Sequence, residues 1–393
     1  MELTIFFEGL LGISLPFSIG SITHQEGEQR GIYIQIEVAN DYRPDGATIH
    51  DYEERTWRHL DLFQYPCYLT CRVPKFKYKG TKPVVRTLEV PWARTGSGFS
   101  LLFEELAIHL VKLYGCVSTV AAQLAIYPQR LWTLVWHYAQ KEQTLPQDMS
   151  KVKRIGFDET SKKKGHNYVT CFIDLDTGDL LMIEEGKDAQ VVESFVQKAE
   201  KQGLKRENIS DVSVDMSPAF GAGIAQSLPD ATITYDKFHV SQLVQKAFDS
   251  MRKTIARRAG RTFNKWIFFK DQSALKATEQ QELNSLLAAY PELDVVYEMK
   301  NNFKLLWQQP DKISASAFLS FWTDFAKTLK RKTMTTVAKT LDKHHQGIIQ
   351  YFDSLLTNAS LEGFNSKIQT MKRNARGYKN TETLMLMIRW HCA

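Results

Sequence analysis

The period of the hydrophobic pattern changes along the chain, and each change marks a part. Ile32 to Val38 alternates as a half-buried strand and Tyr68 to Tyr78 repeats that pattern, with an aromatic and charged stretch, Glu54 to Phe63, between them. Gly96-Ser97-Gly98 reads as a flexible joint, after which Leu101 to Leu113 takes up a helical period. Val117 to Ala125 predicts a short second helix and Ile126-Tyr127 a turn. Pro128 opens a third helix at the position where proline's missing N–H matters least. Leu131, Leu134, Val135 and Tyr138 recur on one face of that helix and predict its buried side. Gln129, Arg130 and Thr133 stay outside. Glu142 to Lys151, polar and holding Pro146, predicts a linker.

The pattern then shortens to strands. In the stretch Arg154 to Asp176, Ile155 and Phe157 alternate with Gly156 and Asp158, which predicts a strand with Asp158 at its end and Glu159 turned to the opposite face. Tyr168 to Leu175 returns as a second strand, Asp176-Thr177-Gly178-Asp179 makes the turn, and Leu180 to Glu185 follows. Asp188 to Gln202 is amphipathic through Val191, Val192, Phe195 and Ala199. Ile209 to Val214 is an apolar strand delivering Asp215, stopped by Met216-Ser217-Pro218, and Ala231 to Tyr235 is another. That order predicts an α/β fold with an RNase H-like mixed sheet. From Ser241 to about Asn358 the pattern is helical, with breaks only at Pro291 and Pro310. In the last informative stretch, Leu361, Phe364, Ile368, Met371 and Ala375 fall on one side of a helix. Glu362, Asn365, Ser366, Gln369 and Arg373 fall on another.

Composition narrows the class. A chain of 393 residues, 43% hydrophobic and 24% charged, predicts two or three globular domains. No apolar run reaches the ~18 residues of a membrane span. The apolar start contains Glu2 and Glu8 and lacks a basic segment, which argues against a signal peptide. Five scattered cysteines argue against a disulfide framework and for a reducing cytoplasm. Cys67 and Cys71 stand four apart, but no second pair or histidine partner lies nearby, so they read as buried side chains and the sequence argues against zinc.

The net charge of +6, from 50 basic and 44 acidic residues, is too mild to identify a nucleic-acid partner by itself. Local clusters carry that argument. Lys75, Lys77, Lys79 and Lys82 form a stripe that suits a solvated strand face or a phosphate contact. Arg252 to Lys270 is basic through Arg257, Arg258, Arg261 and Lys265, and six more cations lie between Lys327 and Lys343. Each could be a solvated helix face; together they favour a polyanion. The short helices around Ile126-Tyr127 match a helix-turn-helix that would present Gln129 and Arg130 to the major groove. A plain three-helix unit enlarged by Trp132 and Trp136 is the alternative.

Candidate chemistry follows from the acids. Two-metal phosphoryl transfer needs carboxylates that hold cations about 3.5 to 4 Å apart. Short Asp side chains on strands fix an ion, and a longer Glu can reach in from a helix. Asp158, Asp215 and Glu362 fit those roles, the last amid Lys367, Lys372, Arg373, Arg376 and Lys379. His239, in Asp236-Lys237-Phe238-His239-Val240, reads as packed or hydrogen-bonded, and His344 and His345 show no metal-ligand partner in sequence.

IGFDETSKKKGHNYVT, VSVDMSPAF followed by YDKFHV, and LEGFNSKIQTMKRNARGY together resemble the DDE transposases of bacterial insertion sequences, in the group called the ISL-three family. TWRHLDLFQY and EVPWARTGSGF extend the resemblance over most of residues 50 to 390. It implies an N-terminal domain over 1–95, a helix-turn-helix over 96–145, a catalytic domain over 150–245 and 355–393, and a helical insertion over 246–354. It implies the triad Asp158, Asp215 and Glu362 with two magnesium or manganese ions, DNA contacts from Lys367, Lys372, Arg373 and Arg376, and no covalent enzyme intermediate. The implied substrate is double-stranded DNA, transposon ends and target, cut and joined through freed 3′-hydroxyls by a homo-oligomer on the nucleoid. The chain departs from the pattern where paired-cysteine zinc knuckles are expected, around Arg43-Pro44-Asp45-Gly46 and Tyr78-Lys79-Gly80. The alternatives are a transposase-derived DNA-binding protein that no longer cuts, and a general RNase H-like nuclease.

Overall fold

The computed structural model describes residues 3–27, 30–78, 84–141, 148–162, 168–356 and 359–392. Lys79 and Lys82 of the basic stripe, most of the expected linker and residues 163–167 of the first motif lie outside them. The chain divides into two compact units, Met1–Glu142 and Gln143–Ala393.

The first unit opens with helix α1 (Leu3–Leu11) and strands β1 (Phe17–Gln25), β2 (Gly31–Val38), β3 (Ala47–Leu62), β4 (Tyr65–Tyr78) and β5 (Val84–Thr87). They form one sheet in the order β1-β2-β4-β3, with β5 paired to β4. The aromatic and charged stretch is therefore the second half of β3, a 16-residue strand paired antiparallel to β4. Its two-residue turn, Phe63-Gln64, has φ of +49° and +67°. Hairpins of this length favour such angles, but neither residue signals them as Asn-Gly would, which hid the turn from sequence reading. Ile34, Ile36, Trp57, Cys67, Leu69, Cys71 and Val73 bury the inner face.

Helices α2 (Leu101–Tyr114), α3 (Val117–Gln123) and α4 (Pro128–Lys141) follow. Leu131, Leu134 and Val135 are buried as their spacing predicts, and Gly115, φ +62°, caps α2 where a side chain would be strained. The expected flexible joint at Gly96-Ser97-Gly98 is instead packed. Glu104, fully buried, accepts from Ser97, from Arg94 at 2.9 Å and from Tyr138 Oη at 2.6 Å. Gly98 O accepts from the backbone of Arg58 at 3.0 Å. A buried carboxylate must have such partners, and supplying them fixes the segment.

The second unit is built on β6 (Arg154–Ser161), β7 (Tyr168–Asp174), β8 (Leu180–Glu185), α5 (Ala189–Glu200), β9 (Asp211–Val214), α6 (Pro218–Ser227) and β10 (Thr232–Tyr235). The sheet order is β10-β9-β6-β7-β8. β6, β7 and β8 pair antiparallel, while β9 and β10 run parallel to β6 and to each other. This is the RNase H-like mixed sheet. One face packs Ile155, Phe157, Val212 and Val214 against Phe195, Phe220 and Ile224 of α5 and α6.

The chain then runs through α7 (Lys237–Arg258), α8 (Trp266–Phe269), α9 (Ala277–Ala289), α10 (Pro291–Asn302), α11 (Lys312–Thr328), α12 (Lys332–Lys343), α13 (His345–Ile349) and α14 (Tyr351–Ser354). These helices share a core of their own, with Phe248, Phe268, Tyr297 and Trp322 at its centre. Pro291 begins α10 and so starts a helix at the expected break. Last come α15 (Ala359–Asn374) and α16 (Thr381–Cys392). Among the described residues no helix is long and apolar enough to cross a membrane.

Candidate active site

β6 pairs with β9 only as far as Gly156↔Ser213, whereas its pairing with β7 continues to Ser161↔Tyr168. Asp158 therefore does not end the strand, as the alternation had suggested; it lies where β6 and β9 part. Asp158 and Asp215 each stand two residues beyond the last parallel pair. Equal offsets in a parallel ladder place the two carboxylates side by side, at the strand ends where open α/β sheets bind ligands.

Burial pushes the Asp158 carboxyl above its usual range, and the charge of Asp215 adds to the effect. The nearby His239 and hydrogen bonds from Glu159 N at 2.9 Å and Asn365 Nδ2 at 2.8 Å pull the other way. Asp215 Oδ1 accepts from Ser217 N at 2.9 Å. Glu159, set aside by the sequence because its pleat position faces away, reaches the same pocket as Asp215. Burial raises its carboxyl, as do the charges of Asp215 and Asp158, and Lys187 opposes them. Its Oε2 is buried with no hydrogen-bond partner, and so is Asn365 Oδ1. Such atoms cost about 1–3 kcal/mol each and need a reason to persist.

Helix α15 lies along β6 for a geometric reason. Four residues of helix rise about 6 Å and two of strand about 6.6 Å, so contacts repeat in step. A Cβ on Gly156 would stand 2.8 Å from Leu361 Cδ1, Asn365 binds Asp158, and Gln369 Nε2 donates to Thr160 Oγ1 at 3.3 Å. Lys372 Nζ donates to Ser161 O. Leu361, Phe364, Ile368 and Met371 are buried, as their spacing predicts. Each contributes about 1.5–3 kcal/mol to holding the helix there. Glu362 is one turn before Asn365, on the flank of this contact face, and exposed. Among the described residues no three His, Cys, Asp or Glu side chains gather closely enough to hold a metal ion. The two aspartates thus come together in this conformation, while Glu362 lies on the helix that packs against them without joining them.

The remaining expected site residues are placed as follows. Lys367, Arg373 and Arg376 are exposed on and after α15, whereas Lys372 is half-buried and burial lowers its ammonium. Gln129 is exposed on the first turn of α4. Arg130 donates to Gly98 O at 3.3 Å and stacks 4.2 Å over Phe99. His239 stands 3.0 Å from Asp236 Oδ2, off the line a hydrogen bond prefers, and that pairing with the nearby acids raises its imidazole. His344 and His345 bond Tyr235 and Ser316 at 2.9 and 2.8 Å.

The carboxylate oxygens of Asp158 and Asp215 suit a hard divalent cation. Cys67 and Cys71 are poorly spaced to share one zinc ion. Cys67 and Cys71 point inward from one strand, roughly 13 Å apart along it, against a Zn–S bond of about 2.3 Å. Burial pushes both thiols up to about 12, which ties their protons more tightly than in a free cysteine.

Three family profiles match the chain: an ISL3 transposase profile over residues 155–388, a helix-turn-helix domain of transposase family ISL3 over 88–139, and the zinc-finger of transposases IS204/IS1001/IS1096/IS1165 over 45–79. The chain is 27% identical over 276 residues to the transposase for insertion sequence element IS1001 of Bordetella parapertussis, covering 66% of this chain and 68% of that protein. It is 24% identical over 367 residues to the transposase for insertion sequence element IS1557 of Mycobacterium tuberculosis, covering 85% and 80%. With its RNase H-like sheet, its helix-turn-helix and a catalytic-domain match over more than half its length, the chain belongs to the transposase family ISL3.

Proposed function

We propose that the protein is a metal-dependent DDE transposase that binds the ends of an insertion sequence, cuts there and transfers the freed 3′-hydroxyl ends to target DNA. The observation that carries this reading is that Asp158 and Asp215 stand at equal offsets beyond the Gly156↔Ser213 pair, next to a pocket lined by Asp215 and by Glu159, one of whose oxygens is buried without a partner. Bound magnesium or manganese would activate the attacking oxygen and stabilise the leaving one. In this reading Asp158 and Asp215 hold the ions, Asn365 orients Asp158, and Glu362 swings in from the same helix when DNA is bound. Gln129 and Arg130 contact the transposon end, and Lys367, Lys372, Arg373 and Arg376 contact phosphate. Lys372 must first release Ser161 O to do so.

The expected boundaries complete the proposal: 1–95, 96–145, 150–245 with 355–393, and the insertion 246–354. The protein acts in the cytoplasm, on the nucleoid, as a homo-oligomer that pairs two ends. The 1–95 domain folds without zinc, through the core around Trp57. The exposed position of Glu362 favours one second reading, a transposase-derived protein that binds DNA and no longer cuts. Purified protein, magnesium and DNA carrying the element's own ends decide between them. Nicking that is lost in Asp158→Ala and Glu362→Gln while binding survives supports the first; undiminished nicking in those variants removes it, and binding without metal-dependent nicking in the wild type selects the second.

A further inference from the structure

The pocket of about 450 Å3 that holds Glu159 and Asp215 has a second wall, and α7 builds most of it. His239, Gln242 and Lys246 stand at i, i+3 and i+7 of that helix and all line the pocket, with Lys187 from the turn after β8 and Thr340 from α12. Core packing does not explain this face. The apolar stripe of α7, Val240, Val244, Ala247, Phe248 and Met251, goes into the core of the insertion instead. The helix thus carries two stripes, one buried and apolar, one polar and turned to the acids.

The polar stripe is positioned rather than loose at its start. Asp236, 5% exposed, caps α7 by accepting from Phe238 N at 3.1 Å, and the same carboxylate lies 3.0 Å from His239 Nδ1. Lys246 is exposed and makes no ion pair among the described residues, and Lys187 lies 3.7 Å over the Tyr168 ring with its charge felt by Glu159. Carboxylates on one wall and cations on the other suit an anionic ligand running between them, and a phosphodiester strand has that chemistry. Lys372, on α15, is already bonded to Ser161 O.

We propose that Lys187, His239, Gln242 and Lys246 seat the phosphate backbone of the strand on which the acidic pair acts, so that the helical insertion, through α7 and Thr340, is part of the substrate site. This rests on the transposase reading of the Asp158–Asp215 pair. The test measures binding of the full chain to a fluorescent duplex carrying the element's end, over a salt series, with calcium replacing magnesium. Neutralising Lys187→Ala and Lys246→Ala together should flatten the slope of log K against log salt by about 0.9 for each phosphate that is no longer neutralised, and so by about 1.8 for the pair. Lys246→Gln alone should remove about half of that, a change that loss of packing would not produce in a surface lysine. An unchanged slope in the double variant, with wild-type melting, overturns the proposal. Asp215→Asn separates the two ideas: it should abolish nicking and leave the slope intact, so retained nicking there would count against the reading of the acids and an unaltered lysine slope against the wall alone.

Discussion

Each unit is organised on a five-stranded sheet, and the two sheets treat burial in opposite ways. In the first, β4 turns the apolar or weakly polar side chains Cys67, Leu69, Cys71 and Val73 into a core that buries no carboxylate among its members. In the second, the face of β6 under α15 carries Gly156, Asp158 and Thr160, and the neighbouring pocket leaves a carboxylate oxygen of Glu159 unpaired. Apolar burial stabilises by itself, whereas carboxylate burial costs free energy until a partner arrives. The contrast separates a sheet held by apolar burial from one that buries carboxylates beside an unpaired oxygen. The zinc-finger profile matches residues 45–79, where Cys67 and Cys71 are both fully buried.

The contrast makes its strongest demand at Asp158. Asp158→Asn should lower the rate of metal-dependent nicking by about 10^3-fold, a loss of several kcal/mol of transition-state stabilisation, without lowering the melting temperature, since it removes a charge repelled by Asp215. A variant that keeps its activity, or that loses both activity and stability, would erase the distinction between the sheets. Next in size, Trp57→Ala in the first unit should cost about 3–5 kcal/mol in urea unfolding, because a fully buried indole leaves a cavity. A smaller loss than that of a surface variant would mean the core is not what holds this sheet.

The cysteines sharpen the comparison further. Cys67→Ser and Cys71→Ser should each cost about 1–3 kcal/mol by burying a hydroxyl, while Cys67→Val and Cys71→Val should cost under about 1.5 kcal/mol. Elemental analysis should find zinc far below one per chain, and a chelator should leave the melt of this unit in place; stoichiometric zinc would reverse the reading. The smallest effect is a pH dependence. Asp158 and Glu159 are held above their ordinary values of 3.8 and 4.5, so the folded state binds their protons more tightly and stability falls as pH rises from those values through the raised ones. His239, raised above 6.5, acts in the same direction, its contribution present below 6.5 and lost as pH rises through its raised value. Urea midpoints taken across this range should decline less steeply in Asp158→Asn than in the wild type.

The site was only partly visible in the chain. Period-two alternation and an Asp at 158 and at 215 predicted two strands with acids, because an apolar strand ending in a carboxylate is a local feature. The roles of Glu159 and Asn365 were not local. Alternation turned Glu159 away, and Asn365 was one polar residue among several on α15. Only the parting of β6 from β9, and the matching rise of helix and strand, brought them to the aspartates. The α7 wall was missed for a similar reason, since His239, Gln242 and Lys246 mix with core residues over less than three turns and no single-stripe period marks them.

What the sequence determined by itself is therefore the order of strands and helices from about residue 100 onward and the buried faces of several of them. The inward faces of β4, α4 and α15 follow from hydrophobic spacing, and the buried Leu131, Leu134, Ile368 and Met371 agree with it. Tertiary structure decided everything that depends on which strand ends next to which. Gly96-Ser97-Gly98 became rigid because buried Glu104 needs hydrogen bonds, a demand imposed from α2 and α4. Asp158 moved from a strand end to a fork between strands because β7 continues pairing where β9 stops. Spacing along a chain specifies which face a side chain takes, but proximity between carboxylates comes from strand order and register, and these are properties of the assembled sheet.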